Sequence, residues 1–314
     1  MRAAVITKYG KPDVFQIADV PDVYPKTNEV KVRVHASSVN PVDFKTRLGH
    51  IFFLSGFKFP KVLGSDFSGV ITECGAGVTD FALGDEVFGF TNAVTEGGAY
   101  AQFLCCKTSK IAKIPASLTL LEAGVLPLAA STAYQGLFQE GGMTSGMHVC
   151  ITGATGGVGH YAVQIAKASN CRVTGICHSQ NEELAYQFGC DDVLPYDKTS
   201  WKDIDQRFDL VLDAVAKYSY AICRHTLKRN GAYVSTIPSL RTVLMPLLPA
   251  AFRAHQACHF WANSNTADLN SLARLADQGA LKPYIANTYS IEEIAKAHAQ
   301  SETQKVRGKI AVVM

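Results

Sequence analysis

The chain has 314 residues, of which 47% are hydrophobic and 18% charged, with a formal net charge of +3. That balance excludes intrinsic disorder, and without a long basic run it gives no reason to expect nucleic acid as a partner. At roughly 150 residues per domain, the length suggests two domains.

The first third reads as strands. The opening residues 1–8 lack the sustained apolar core of a secretory leader, so cytoplasmic residence is expected. Residues 31–36 alternate with period two, as a half-buried strand does. Residues 70–73 and 86–90 are short strand candidates separated by Gly75, Gly77 and the Gly84-Asp85 turn. The pattern predicts a compact, largely antiparallel β domain. Within it, residues 48–60 place Phe52, Phe53, Phe57 and Phe59 near Gly49 and Gly56. This segment reads either as an aromatic wall for a flat apolar substrate or as core packing or a dimer contact.

The middle third changes character. Residues 148–152 form an apolar strand candidate, followed by Gly153-Ala154-Thr155-Gly156-Gly157-Val158-Gly159. Val158, Ala162, Ile165 and Ala166 then share one helical face. A second strand over 172–176 precedes a helix over 182–188, which Gly189 ends in a left-handed conformation. A third strand over 208–215 leads into a helix stopping near Asn230-Gly231, and a fourth strand covers 232–237. This alternation predicts a parallel βαβ domain. The apolar stretch 243–252 is broken by Pro246 and Pro249 and is too short to span a bilayer. A strand candidate over 242–248 could pair across a dimer interface. Ser290-Ile291-Glu292-Glu293 has capping-box spacing, so a helix should start at Ile291. Residues 309–313 form a last strand, expected to rejoin the N-terminal domain. Nine cysteines without a CxxC pair fit reduced, mostly buried thiols.

A strand, a glycine-rich turn and a helix start make a phosphate site, because the helix N-terminus offers N–H groups and partial positive charge. Read strictly, the register is Ala154-x-Gly156-x-x-Gly159, with alanine at the first glycine position of GxGxxG. The turn reads as a dinucleotide site, with Thr155, Gly156, Gly157 and Val158 at the phosphates. An NAD site commonly carries Asp or Glu about 20 residues further on, at the ribose. Here the second strand ends Cys177-His178-Ser179-Gln180-Asn181, with no carboxylate before Glu182. NADPH is therefore favoured over NADH, with His178, Ser179 and Asn181 as donors. The turn also matches Thr152-Gly153-x-x-x-Gly157-x-Gly159 of short-chain dehydrogenases, but none of the 12 tyrosines is followed by Lys four residues later.

Several stretches carry a resemblance by their order and spacing. They include Ser38-Val39-Asn40-Pro41-Val42-Asp43-Phe44-Lys45, Leu63-Gly64-Ser65-Asp66-Phe67-Ser68-Gly69 and Gly84-Asp85-Glu86-Val87-Phe88-Gly89. Gly97-Gly98-Ala99-Tyr100-Ala101, Ala130-Ser131-Thr132-Ala133-Tyr134 and Val306-Arg307-Gly308-Lys309-Ile310 complete the set. Together the chain resembles the medium-chain dehydrogenase/reductase superfamily, and within it the zinc-independent NADPH:quinone oxidoreductases (zeta-crystallin-like). The resemblance implies an α/β fold in which a Rossmann-type parallel-sheet domain, residues 123–261, is inserted into a largely antiparallel GroES-like β domain, residues 1–122 plus 262–314. It implies that Asn40 and Thr132 are catalytic positions beside the nicotinamide and its ribose. Tyr196 would lie near the adenosine phosphate, or be a plain loop tyrosine, and Arg307 and Lys309 would belong to the cofactor site.

Zinc-dependent relatives carry Cys where this chain has Asn40, His where it has Asp66, and a further run of cysteines missing here. Zinc needs three or four convergent ligands, so no metal is expected. His298, on a predicted helix, reads as a surface or packing residue. Without a metal to acidify an alcohol, hydride transfer from NADPH to a quinone or an α,β-unsaturated carbonyl is the easier reaction. The proton could come from Tyr100, Lys45 or water. An enoyl-thioester reductase and a non-catalytic NADPH-binding redox sensor are the alternatives. As in many relatives, a homodimer is expected.

Overall fold

The computed structural model describes residues 1–92, 94–237, 242 and 255–314. In chain order its strands are β1 (Arg2–Ile6), β2 (Phe15–Asp19), β3 (Glu29–Ser38), β4 (Lys61–Val62), β5 (Asp66–Cys74), β6 (Glu86–Phe90), β7 (Phe103–Lys107), β8 (Ile111–Lys113), β9 (His148–Thr152), β10 (Arg172–Cys177), β11 (Asp192–Pro195), β12 (Phe208–Asp213), β13 (Leu227–Ser235), β14 (Gln256–His259), β15 (Ile285–Ser290) and β16 (Lys309–Val313). The chain divides into two units. One comprises Met1–Ser131, Asn263–Gly279 and Pro283–Met314; the other comprises Thr132–Ala262 and Ala280–Lys282. The first break thus falls inside the Pro127–Tyr134 helix, later than residue 122.

The first unit is a GroES-like β domain. Its larger sheet runs β15-β16-β3-β5-β6-β8 with β7 also on β3, and a smaller sheet runs β2-β1-β4. The pairs β3–β5, β5–β6, β6–β8, β3–β7 and β16–β3 are all antiparallel, and β15–β16 is parallel. The period-two pattern of β3 explains its place: Val30, Val32 and Val34 enter a core with Phe67, Ile71, Val87, Leu104 and Ile111. The last strand returns as expected, setting Ala311 opposite Ser38 and Val313 opposite Ala36. Gly308 makes this return possible: at φ +65 any Cβ would lie 2.1 Å from the Tyr284 carbonyl oxygen. The helix expected at Ile291 opens with a 3-10 turn, Ile291–Glu293, and is α-helical over Ile294–Glu302. Glu293 accepts from the Ser290 N–H, but the Ser290 hydroxyl is diverted to Glu292, so only half of the capping box forms.

The second unit is a Rossmann-type domain. Among the described residues its sheet runs β11-β10-β9-β12-β13-β14, all parallel. Numbered from its own first strand this order is 3-2-1-4-5-6, and the direction of winding reverses between β9 and β12. Ligands of such sheets bind beyond the carboxyl ends of the strands at that reversal. The expected helix ending near Asn230-Gly231 is a correction. Only Tyr220–Cys223 is α-helical, a 3-10 turn covers Arg224–Thr226, and β13 already begins at Leu227. Leu227 pairs with Phe208 before the register shifts; Lys228, Arg229 and Asn230 are exposed, with Asn230 at φ 65. A solvent-facing excursion in an edge of pairing has no alternating pattern to reveal it.

The strand candidate over 242–248 and the apolar stretch 243–252 lie outside the described residues, except for Thr242, which is buried. Among the described residues no helix is long and apolar enough to cross a membrane. All nine cysteines are free. Burial is the largest influence on eight of them and raises each thiol's pKa, Cys105 and Cys177 to about 11 and Cys190 and Cys258 to about 12.

Candidate active site

In the first unit the polar centre grows from the turn after β3. Asn40 is extended at φ −111 and ψ 155, and Pro41 starts the Pro41–Arg47 helix at its first position, where no N–H is needed. The Asn40 N–H donates to Asp43 Oδ2 at 2.8 Å, while the Asp43 N–H donates to the Asn40 carbonyl at 3.0 Å. That arrangement leaves the Asn40 side chain for other work. Its Nδ2 donates to Asp66 Oδ2 at 2.9 Å, and its Oδ1 accepts from Lys309 Nζ at 2.5 Å.

Asp66 is the hub. Its carboxylate also accepts from Ser38 Oγ at 2.5 Å and from the Leu128 N–H at 2.6 Å, near the start of the Pro127–Tyr134 helix. Lys309 Nζ lies 3.4 Å away. Asp66 is wholly buried and Lys309 nearly so. A buried pair of this kind offsets its desolvation only when the remaining lone pairs are filled, as they are here. Asp43, beside it, accepts from Ser65 Oγ at 2.8 Å. Burial pushes its carboxyl up to about 7, against the lowering effect of its hydrogen bonds.

Tyr100 and His298 lie behind this centre, both without solvent exposure. The Tyr100 hydroxyl donates to the Ser38 carbonyl at 3.2 Å, with His298 Nε2 also 3.2 Å from it. Desolvation holds the phenol well above its usual range and the imidazole well below, so both are neutral. His298 also sits edge-on to Phe15 at 4.7 Å and is a packing residue. Tyr100, a possible acid in sequence, is thus sealed within the core. Lys45 is only partly covered, with its amine lowered by burial. Arg307 is exposed and stands outside the cluster. Phe52, Phe53 and Phe57 are 46%, 69% and 70% exposed, which excludes core packing for them, whereas Phe59 packs on Tyr9.

These donors do not fit a zinc ion. Among the described residues no three His, Cys, Asp or Glu side chains converge. The cluster offers a carboxamide and a carboxylate, and the Lys309 ammonium already neutralises the carboxylate.

In the second unit the glycine turn lies at the carboxyl end of β9. Ala154 N–H donates to the Ile176 carbonyl at 3.1 Å, and Gly156 N–H to the Gly153 carbonyl at 2.8 Å. A Cβ on Gly159 would lie 1.9 Å from the Gly153 oxygen, so the turn closes this tightly only with glycine there. A Cβ on Gly156 would meet nothing nearer than that same oxygen at 3.2 Å, which leaves the outer side of its backbone open to a ligand. The Gly159–Ala168 helix follows directly. The turn thus has the tightness and open backbone that a pyrophosphate requires. Thr152 Oγ1 donates to Asp213 Oδ1 at 2.6 Å, joining β9 to β12 at the point of reversal. Thr132 is the first residue of this unit and half-buried.

His178, Ser179 and Asn181 lie just past β10, as the sequence suggests, but they do not stand without a carboxylate. Ser179 donates both its N–H, at 2.8 Å, and its hydroxyl, at 2.6 Å, to Asp197. His178 packs edge-on to Tyr196 at 5.6 Å. The sequence reading missed Asp197, although a signal existed. β10 and β11 pair in parallel with a constant offset of 18, Thr174 opposite Asp192 through Cys177 opposite Pro195. Two further steps place 179 beside 197.

Residues 26–116 match the family described as "Alcohol dehydrogenase GroES-like domain", and residues 188–312 the family described as "Zinc-binding dehydrogenase". The chain is 32% identical to human "NAD(P)H oxidoreductase RTN4IP1, mitochondrial", over 99% of this chain and 89% of that protein. It is 30% identical to "2-methylene-furan-3-one reductase" of Solanum lycopersicum, over 99% and 79%. The solved quinone oxidoreductase of Coxiella burnetii superposes with a TM-score of 0.91 at 29% identity, covering 100% of this chain and 99% of that one. The chain is an oxidoreductase that belongs to the quinone oxidoreductase family of the medium-chain dehydrogenase/reductase superfamily.

Proposed function

We propose that the protein transfers hydride from a reduced nicotinamide dinucleotide to a quinone or an α,β-unsaturated carbonyl, without a metal ion. The observation that carries this reading is the buried Asn40–Asp66–Lys309 cluster, which holds the Asn40 carboxamide in place and whose donor set does not fit zinc. Alcohol oxidation needs a group that acidifies the hydroxyl; reduction of a conjugated acceptor needs only orientation and stabilisation of the developing oxyanion. When bound, the cofactor supplies the hydride. The chain supplies the rest. The glycine turn with Thr155, Gly156, Gly157 and Val158 holds the pyrophosphate, and the turn over 178–181 with Tyr196 meets the adenosine ribose. Asn40 and Thr132 orient the nicotinamide ribose, with Lys309 and Asp66 locking the Asn40 carboxamide in one rotamer. Water delivers the proton, since Tyr100 is sealed off. The exposed phenylalanines of residues 52–57 offer a flat apolar acceptor its wall.

The test is nucleotide oxidation, followed at the nicotinamide absorbance, across a quinone, an alkenal, an enoyl-CoA and, in reverse, a simple alcohol. Turnover of the quinone or the alkenal is expected. Alcohol oxidation, turnover of enoyl-CoA alone, or tight nucleotide binding with no turnover would each overturn the reading. A homodimer and cytoplasmic residence belong to the same proposal, checked by sedimentation and by cell fractionation. For the nucleotide itself, the lack of a carboxylate within residues 177–181 favours NADPH, whereas Asp197 counts for NADH.

A further inference from the structure

The adenosine end of the second unit carries a charge that the linear sequence hides. Parallel pairing of β10 with β11 brings Asp197 alongside Ser179, beyond the strand ends. Both of the Ser179 donors are spent on the Asp197 carboxylate, at 2.8 and 2.6 Å. Ser179 stands at the position, about 20 residues past a glycine turn, from which a Rossmann domain reads the ribose of its dinucleotide, and the strand pairing sets Asp197 beside it. We infer that Asp197 reads the adenosine ribose as a diol and rejects a 2′-phosphate, so the protein prefers NADH to NADPH. The inference rests on the dinucleotide reading above and names the form of cofactor that it takes.

The surrounding groups point the same way. A 2′-phosphate carries about −1.5 to −2 charges at neutral pH and only accepts hydrogen bonds. It needs donors and an excess of positive charge. The two lysines near this turn are already engaged: Lys198 pairs with Glu182 at 3.2 Å, and Lys217 lies 5.1 Å from the Tyr196 ring centroid. With Glu182 and Asp197 opposing Lys198 and Lys217, the local charge sums to zero. His178 Nε2 is 3.9 Å from Asp197 and adds charge only when protonated. A ribose hydroxyl, by contrast, is a donor and finds acceptors. Asp197 offers two oxygens, and Asn181 Oδ1, on the same turn, is buried without a hydrogen-bond partner. The bonds from Ser179 also hold the Asp197 carboxyl below the usual range, so it stays an anion at neutral pH.

The experiment is a fluorescence titration of the full chain with NADH and with NADPH, repeated with 5′-AMP and 2′,5′-ADP as competitors. It uses the wild-type protein, Asp197→Asn and Asp197→Lys. In the wild type NADH should bind more tightly, and 5′-AMP should compete better than 2′,5′-ADP. Asp197→Asn should move the NADPH-to-NADH affinity ratio toward NADPH by about tenfold, the order expected for one unit charge facing a phosphate in water-like surroundings. Asp197→Lys should move it further. Tighter wild-type binding of NADPH, or a ratio that neither substitution moves, overturns the inference and leaves the hydride-transfer reading standing. If neither nucleotide binds, both fall together.

Discussion

Asp66 in the first unit accepts from four donors and has no solvent exposure, whereas Asp197 in the second is held chiefly by Ser179 and its side chain is 28% exposed. Both are carboxylates, yet they face different constraints. The buried one is compensated by partners from β3, from the Pro127–Tyr134 helix and from β16, so no partner can change alone. The other rests on one neighbouring turn and is partly open to solvent, so it can change at smaller cost to the fold. In the proposed reading, the core holds the groups that orient the reacting end, and the nucleotide is chosen at a replaceable rim residue.

The largest effect should come from breaking the buried side. Asp66→Ala strands the Lys309 ammonium and should destabilise the protein by about 3–5 kcal/mol in urea unfolding. The same denaturation of Asp197→Ala should show a much smaller loss, about 1 kcal/mol, since only the bonds from Ser179 at a partly exposed site are removed. Equal losses in both would erase the contrast. Adding Lys309→Met to Asp66→Ala should recover part of the loss, because the stranded charge is gone.

Gly159→Ala comes next. Its Cβ collides with the Gly153 oxygen, so a cost of about 1–3 kcal/mol is expected. Nucleotide affinity should fall more than stability does, since the turn must open to admit the methyl group. Unchanged binding in a titration would mean that the turn does not hold the phosphates.

A pH series sharpens the buried side further. In the folded chain the Asp43 carboxyl is raised from the ordinary 3.8 to about 7, chiefly by burial. Between those values the folded state holds a proton that the unfolded state has released. This contribution to stability is therefore full at low pH and is lost as pH rises through that window. The stability of the wild type minus that of Asp43→Asn should fall from pH 5 to pH 8. A flat difference would show that Asp43 titrates normally. The smallest effect belongs to Phe53→Ser. At 69% exposure its stability should stay within about 0.5 kcal/mol, while KM for an apolar quinone rises several-fold and kcat holds.

Much of the fold was legible because its strands carry their periodicity on the surface of the sequence. The valines of β3 alternate, and the βαβ repeats of the second unit bracket a glycine turn. β13 was misread because its first residues are polar and exposed, so they look like a helix end. The site was legible only in pieces. Asn40 and Lys309 came by resemblance, and nothing local marks Asp66 as the partner of both, because they are 26 and 243 residues from it. Asp197 was hidden for a simpler reason. It lies on the neighbouring strand, and only the pairing register reveals it.

The buried cysteines bear on the chemistry assigned to the site. Quinones and enones are Michael acceptors, and they alkylate thiolates far faster than thiols. A thiol raised to about 11 or 12 is scarcely ionised at neutral pH. The chain can thus carry nine sulfhydryl groups while handling soft electrophiles, with the deprotonated form suppressed by the packing that surrounds most of them.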